Sequence, residues 1–244
     1  MSETTTGTAG IVELRQYTLH PGRRDELIAL FERELVRPQE AVGMQVIGQF
    51  RDLDWPDRFV WLRGFADMET RQRALNDFYG GPIWKQHRTE ANATMIDSDN
   101  VLLLHPAHAG AGFETRNAPA ATDPAAAPGL VVAALHYFDA PVSPQFLAYF
   151  HQQRLPLLVA MGATALGSFV SDYSENTFPA LPVREGEHVF AWFAAFQDDA
   201  AWRRCQPLLQ ACPSIDATPL PAPRTTEVLR LQPTTQSRLR WRKT

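Results

Sequence analysis

Residues 11–17 (IVELRQY) predict a strand with Ile11, Glu13, Arg15 and Tyr17 on one face and the apolar Val12 and Leu14, with Gln16, on the other. Residues 131–137 (VVAALHY) predict a second strand that also ends on tyrosine. The correspondence continues along the chain. Phe31 precedes Gly43-x4-Gly48-x-Phe50, and Phe150 precedes Gly162-x4-Gly167-x-Phe169. Phe59-Val60-Trp61-Leu62 and Phe190-Ala191-Trp192-Phe193 then lead, through Phe65-Ala66-Asp67 and Phe196-Gln197-Asp198, into helices. The pattern is one small unit written twice. In this reading Tyr137 matches Tyr17, Leu135 stands in place of Arg15, and Trp202 in place of Arg71.

In the first copy, Pro21-Gly22 turns the chain into a helix over residues 23–42, with Leu27, Leu30, Phe31 and Leu35 at helical spacing. Gly43 ends it as a left-handed cap, and Pro38 kinks or frays its last turn. Strands follow over 45–51 and 58–65. Asp67 caps a helix running to Tyr79; Pro82 opens another that carries Trp84, His87 and Arg88. Residues 100–105 form the last strand. The second copy repeats the order: a Ser143-Pro144 cap, a helix ending at Gly162, a hairpin, a helix over 198–212 and a strand over 226–231. Each copy reads β-α-β-β-α-β, a ferredoxin-like unit with one apolar sheet face left to cover. The fold class is therefore α+β, with two such sheets closing on each other as a pseudo-dimeric barrel. The expected segments are a disordered 1–10, repeat 11–105, an Ala/Pro/Gly linker 106–129, repeat 130–232 and a basic tail 233–244.

The copies differ in one length. Nine positions separate Phe50 from Phe59, but 21 separate Phe169 from Phe190. The added loop is either a lid over a pocket or a tolerated surface insertion. Net charge is −4, which gives no footprint for nucleic acid. Arg238-Leu239-Arg240-Trp241-Arg242-Lys243 is a local exception that reads as a solvated tail in preference to a binding arm. No run approaches the ~20 apolar residues of a membrane span. Cys205 and Cys212, on one helix, read as buried small hydrophobes in a reducing, cytoplasmic compartment.

Glu13-Leu14-Arg15-x-Tyr17-x-Leu19-x-Pro21-Gly22 resembles the opening signature of the NIPSNAP family, and Arg71, Trp84 and Asn100 fit its pattern. The resemblance is strong over residues 11–105 and weak over 130–232. It implies the dimeric α+β barrel group, with a pocket between a half's sheet and its helices. That group holds cofactor-free monooxygenases, haem-binding degraders, cyclase-like enzymes and members without known chemistry, so it does not fix a reaction. It also leaves room for haem through His87 or His151, although no local feature demands it.

Glu13, Arg15 and Tyr17 share one strand face, where polar groups need partners. They form either a structural network or a pocket in which Arg15 holds a carboxylate or oxyanion, Tyr17 donates to a carbonyl and Arg71 is a second clamp. Trp84 and His87 lie one turn apart, which makes His87 a general-base candidate or a surface histidine. Trp61 and Trp84 would wall the pocket. In the second copy Tyr137, His151 and Arg154 either line a second cleft or edge an apolar stripe. No metal-ligand spacing, phosphate loop or nucleophile elbow is present.

Two functions follow. One is a small-molecule enzyme without metal, nucleotide or other cofactor, acting on an apolar or aromatic substrate with an acidic or carbonyl group. Arg15, Tyr17 and His87 would be catalytic, and Glu13, Arg71, the tryptophans and the second-copy trio would bind substrate. The other is a non-enzymatic binding or scaffold protein. A small molecule is the expected partner, not nucleic acid or membrane, and the chain is either a pseudo-symmetric monomer or a homodimer.

Overall fold

The computed structural model describes residues 9–114, 129–207, 214–215 and 218–242. Its elements in order are β1 (Ile11–Leu19), α1 (Arg24–Leu30), α2 (Val36–Ala41), β2 (Gln45–Asp52), β3 (Arg58–Phe65), α3 (Met68–Gly80), α4 (Pro82–Asn92), β4 (Met95–Pro106), β5 (Leu130–Phe138), α5 (Pro144–Tyr149), α6 (Leu155–Ala160), β6 (Thr164–Ser171), β7 (His188–Phe196), α7 (Asp199–Cys205), a ribbon of β8 (Ser214–Ile215) and β9 (Thr218–Pro219), and β10 (Thr225–Pro233). Eight strands close into one barrel in the order β1-β3-β2-β10-β5-β7-β6-β4. The first half supplies β4-β1-β3-β2 and the second β10-β5-β7-β6, the same antiparallel order twice. The seams are β10 on β2, with Leu231 opposite Asp52, and β4 on β6, with Leu104 opposite Ser171.

Strand alternation separates three cores. Val12, Leu14, Leu62, Leu104, Leu135 and Phe193 fill the barrel, while each half packs its outer face beneath its own helices. The α+β class follows from this arrangement. No helix among the described residues is long and apolar enough to cross a membrane.

The two copies correspond one residue away from the match drawn by eye. Tyr17 pairs with Phe59 and Arg15 with Trp61, whereas His136 pairs with Phe190 and Ala134 with Trp192. The counterpart of Tyr17 is therefore His136, that of Arg15 is Ala134, and that of Glu13 is Val132. A one-residue slip turns a side chain to the opposite face. Tyr137 consequently points into the barrel core, whereas Tyr17 packs beneath the helices.

Each long helix is interrupted, which corrects the continuous helix expected over residues 23–42. A π-helical turn, Phe31–Leu35, separates α1 from α2, and Phe150–Arg154 separates α5 from α6. Both precede a proline, Pro38 or Pro156. A helical proline cannot bond the carbonyl four residues back and crowds it. That carbonyl belongs to Glu34 or Gln152, each inside its π-turn, which widens the helix at that point. Gly43 and Gly162 end the two helices at φ 93° and 97°, as left-handed caps do.

Two segments read as free chain are packed. In the linker, Ala107 N donates to Ser168 O (2.9 Å), Ser168 N donates to Ala111 O (2.9 Å), and Phe113 enters the barrel core 4.6 Å from the Phe169 ring. In the basic tail, Leu239 is buried in that core and Trp241 packs against it. The apolar residues alternate with the arginines, and the apolar side of the tail packs on the core, so it is not a solvated run. The remaining linker residues 115–128, residues 1–8 and Cys212 lie outside the described residues.

Candidate functional site

The outer face of β1 presents Glu13, Arg15 and Tyr17 beneath the first-half helices. β3 sets Arg63 opposite Glu13. α3, capped by Asp67 accepting from Thr70 N (2.7 Å), brings Arg71 from above. The four charged groups are each at most 1% exposed. Glu13 Oε2 accepts from Arg15 Nη1 (2.7 Å) and Arg63 Nε (2.8 Å), and Oε1 accepts from Arg71 Nε (2.7 Å). Burial pushes the Glu13 carboxyl up, but Arg63, Arg15 and Arg71 outweigh it and hold it well below the usual carboxylate range.

Three guanidiniums surround one carboxylate, so the cluster carries about two excess positive charges. Neutral groups meet some of the remaining donors. Arg63 Nη1 donates to Tyr79 OH (3.3 Å) and Gln39 Oε1 (3.5 Å), and the Arg63 guanidinium lies 5.1 Å from the Trp61 ring centroid. Among the described residues Arg63 Nη2, Arg71 Nη2 and Trp61 Nε1 have no hydrogen-bond partner. Tyr17 OH accepts from Arg15 Nε (2.9 Å), which leaves the phenol proton to be donated elsewhere. Burial raises the Tyr17 phenol above its ordinary range, against the pull of Arg15.

Beside the cluster is a cavity of about 30 Å³, walled by Tyr17, Phe31, Trp61, Phe78, Tyr79 and Trp84. Tyr17, Gln39 and Tyr79 belong both to its lining and to the cluster. The volume suits about one water molecule. Over this site lies the long β6–β7 hairpin of the other half. Arg71 Nη1 donates to Asn176 Oδ1 (3.1 Å) and Thr177 Oγ1 (3.3 Å). Phe178 stacks on Tyr79 with centroids 5.8 Å apart, and Leu181 packs on the same apolar cluster. Arg184 N donates to Val101 O (2.8 Å), holding the hairpin's far end on β4. The added loop packs on the first half, at Arg71 and Tyr79, and none of its residues is in the cavity lining.

The structure thus brings together Glu13, Arg15, Tyr17, Trp61, Arg71 and Trp84. It does not bring in His87, whose ring nitrogens lie 3.8 Å from Glu34 Oε2 and 3.8 Å from Glu90 Oε2, outside the cavity lining. Arg63, Tyr79 and Phe178 were missed. For Arg63 the signal was available, since β3 alternates Phe59, Trp61, Arg63 and Phe65 on one face.

Tyr137, His151 and Arg154 do not share a second cleft, because Tyr137 faces the barrel core. His151 Nδ1 donates to Leu147 O (2.8 Å), and Ser168 Oγ donates to its Nε2 (2.9 Å). Arg154 is buried and donates to Tyr149 OH. His136, in the place of Tyr17, accepts from Trp192 Nε1 at Nε2 (3.1 Å) and so donates from Nδ1 to Thr226 Oγ1 (2.9 Å). It is a neutral, structural histidine. Burial, with Arg154 nearby, pushes its pKa down from 6.5 to about 4. Between those values the unfolded chain binds the proton and the native chain does not, so stability rises with pH across that window. In His136→Gln, the difference in unfolding free energy between pH 4 and pH 6.5 is expected to shrink by up to about 3 kcal/mol, read by urea titrations across that range.

Fold and site together define an α+β barrel protein with a buried guanidinium cluster beside a small aromatic-walled cavity in one half. Residues 12–109 match the NIPSNAP family. A NIPSNAP-like domain protein from Burkholderia xenovorans is 31% identical over 39% of this chain and 84% of its own, with a TM-score of 0.37. The chain belongs to the NIPSNAP family. The whole barrel is similar in fold to a proposed monooxygenase from Lactobacillus acidophilus NCFM, 13% identical over 94% of this chain and 97% of that one, TM-score 0.54. It is likewise similar to one from Fusobacterium nucleatum, 9% identical over 93% of both chains, TM-score 0.51. No curated protein matches the chain.

Proposed function

We propose that the chain is a small-molecule enzyme that uses the first-half cleft to stabilise an oxyanion on an apolar, aromatic substrate. The observation that carries this is the buried cluster of three guanidiniums on one carboxylate, with two Nη2 groups unpartnered. Buried ion clusters are poor devices for stability, and one with excess charge is a worse one. It does supply a positive potential next to an apolar cavity, where a carboxylate, enolate or phenolate gains most. Tyr17, kept protonated by burial, donates to that oxygen, while Trp61, Trp84, Phe31 and Phe78 hold the ring. The reactions that suit such a site pass through an oxyanion: isomerisation, cyclisation, or oxygenation in which the substrate carbanion itself reduces O₂. No metal or nucleotide enters this scheme. Haem does not fit it, because both ring nitrogens of His151 are already bonded and His87 lies outside the cavity.

A second reading is a ligand-binding protein without chemistry. One observation favours it: Glu13, the carboxylate of the cluster, is locked in ion pairs and cannot serve as a base. The two readings separate in one experiment. Benzoate, 1-naphthoate and 2-naphthol are titrated against the full chain by thermal shift, and the mixtures are then followed by mass spectrometry under air. Both readings expect stabilisation by at least one probe, and only the enzyme reading expects a changed probe. Tyr17→Phe should slow that conversion by about tenfold or more, the loss of one charge-assisted hydrogen bond. Absence of stabilisation by every probe would overturn both.

A further inference from the structure

We infer that the mouth of the barrel beside β6 is a second binding site, for a small molecule that carries an oxyanion, phosphate or carboxylate. A groove of about 400 Å³ opens there between β6, the start of the linker and the C-terminal segment. That volume lies in the range of small-molecule pockets, and barrel mouths are a common place for them. It shares no lining residue with the first-half cavity.

The C-terminal segment builds the groove's charged wall. Leu239 and Trp241 turn into the barrel core, so Arg238, Arg240 and Arg242 stand together on the other side. The segment is pinned: Gln49 N donates to Ser237 Oγ (3.2 Å), which donates in turn to Leu239 O (3.1 Å). Arg238 is spent on Glu40. Arg240 is not paired with any carboxylate among the described residues. Its Nε donates to Ser237 O (3.1 Å), and its Nη2 to Ser237 O (2.8 Å), Thr234 O (2.9 Å) and Thr235 O (3.1 Å). Carbonyls therefore fix the guanidinium without neutralising it, and Nη1 has no hydrogen-bond partner among the described residues. Burial and the neighbouring charge of Arg242 push the Arg240 guanidinium down, against the smaller pull of Glu32, and a bound anion would add to that pull. Arg242 is exposed and has no ion-pair partner among the described residues.

The facing wall carries two histidines and a hydroxyl. His151 and His108 meet edge to face with centroids 4.4 Å apart, and Ser168 stands against His151 Nε2. Glu114 is the one carboxylate in the lining. A planar, preorganised guanidinium beside a second unpaired one is the arrangement that takes phosphate or carboxylate oxygens in pairs.

The test is isothermal titration of the full chain with pyrophosphate and, separately, citrate. Saturable binding of at least one is expected, weakened by added salt, and weakened about tenfold or more in Arg242→Gln and in Arg240→Gln. Binding of pyrophosphate alone would mark a phosphate ligand, and of citrate alone a carboxylate. Arg242 is exposed, so its variant keeps the fold even where loss of the Arg240 carbonyl bonds loosens the tail. No saturable binding of either probe, or binding that both variants leave unchanged, would overturn the inference.

Discussion

Glu13→Gln is expected to lower the melting temperature by roughly 10 °C at neutral pH, the largest effect of any single substitution in the first-half site. The amide keeps the shape and removes the charge that three buried guanidiniums share. Uncompensated buried charges of this kind cost about 3–5 kcal/mol. The sign with pH follows from the depressed Glu13 carboxyl. Its contribution is fully present above the unfolded value near 4.5 and is lost as pH falls below it toward the folded value, so wild type and variant should converge in acid. The variant also separates structure from ligand binding. With the counter-charge gone, an added aromatic carboxylate should stabilise Glu13→Gln more than the wild type. A variant that melts within a few degrees of wild type would mean the guanidiniums find other compensation.

Replacing residues 175–184 by a short turn is the second large effect. The cavity holds about 30 Å³, too little for any aromatic acid, so its wall has to open for a ligand to enter, and the hairpin stacked on the lining residue Tyr79 is the part expected to move. Without it, association should accelerate by about tenfold or more, and dissociation should accelerate further, because Phe178 no longer covers Tyr79 and Arg71 loses Asn176 and Thr177. Stopped-flow tryptophan fluorescence, reporting on Trp61 and Trp84, reads both rates. Unchanged rates would mean entry by another route. Phe178→Ala, which keeps the loop, should shift both rates in the same direction by less.

Much of this was legible in the sequence, for identifiable reasons. Strand alternation placed Glu13, Arg15 and Tyr17 on one face because β1 is regular through that stretch. The caps at Asp67 and Ser143 were legible because an N-cap is a local bond. What failed was long-range. Tyr17 and Tyr137 look equivalent when written one above the other, but strand pairing, not spelling, decides which face a residue takes. His87 has a helix-face neighbour in the cavity wall, Trp84, yet its own ring lies beside Glu34 and Glu90, outside the cavity lining. Arg63 was not singled out: the alternation of β3 puts it on the face of Phe59 and Trp61, and the cross-strand register sets it opposite Glu13. The reach of the second-half hairpin onto Arg71 depends on barrel closure, which no local pattern contains.

The long hairpin belongs to the half that has no arginine cluster and covers the half that has one. Two identical subunits could not divide the work this way, since any insertion in one would appear in both and every cleft would gain the same cover. Joining the copies in one polypeptide removes that constraint. Drift in one copy becomes free of penalty in the other, and a loop can be tuned as a gate while the residues it guards stay fixed. Under the proposed function, selectivity of the first-half cleft is therefore expected to be adjustable from a stretch of sequence more than a hundred residues away from the first strand, by changes that leave every member of the charged cluster in place.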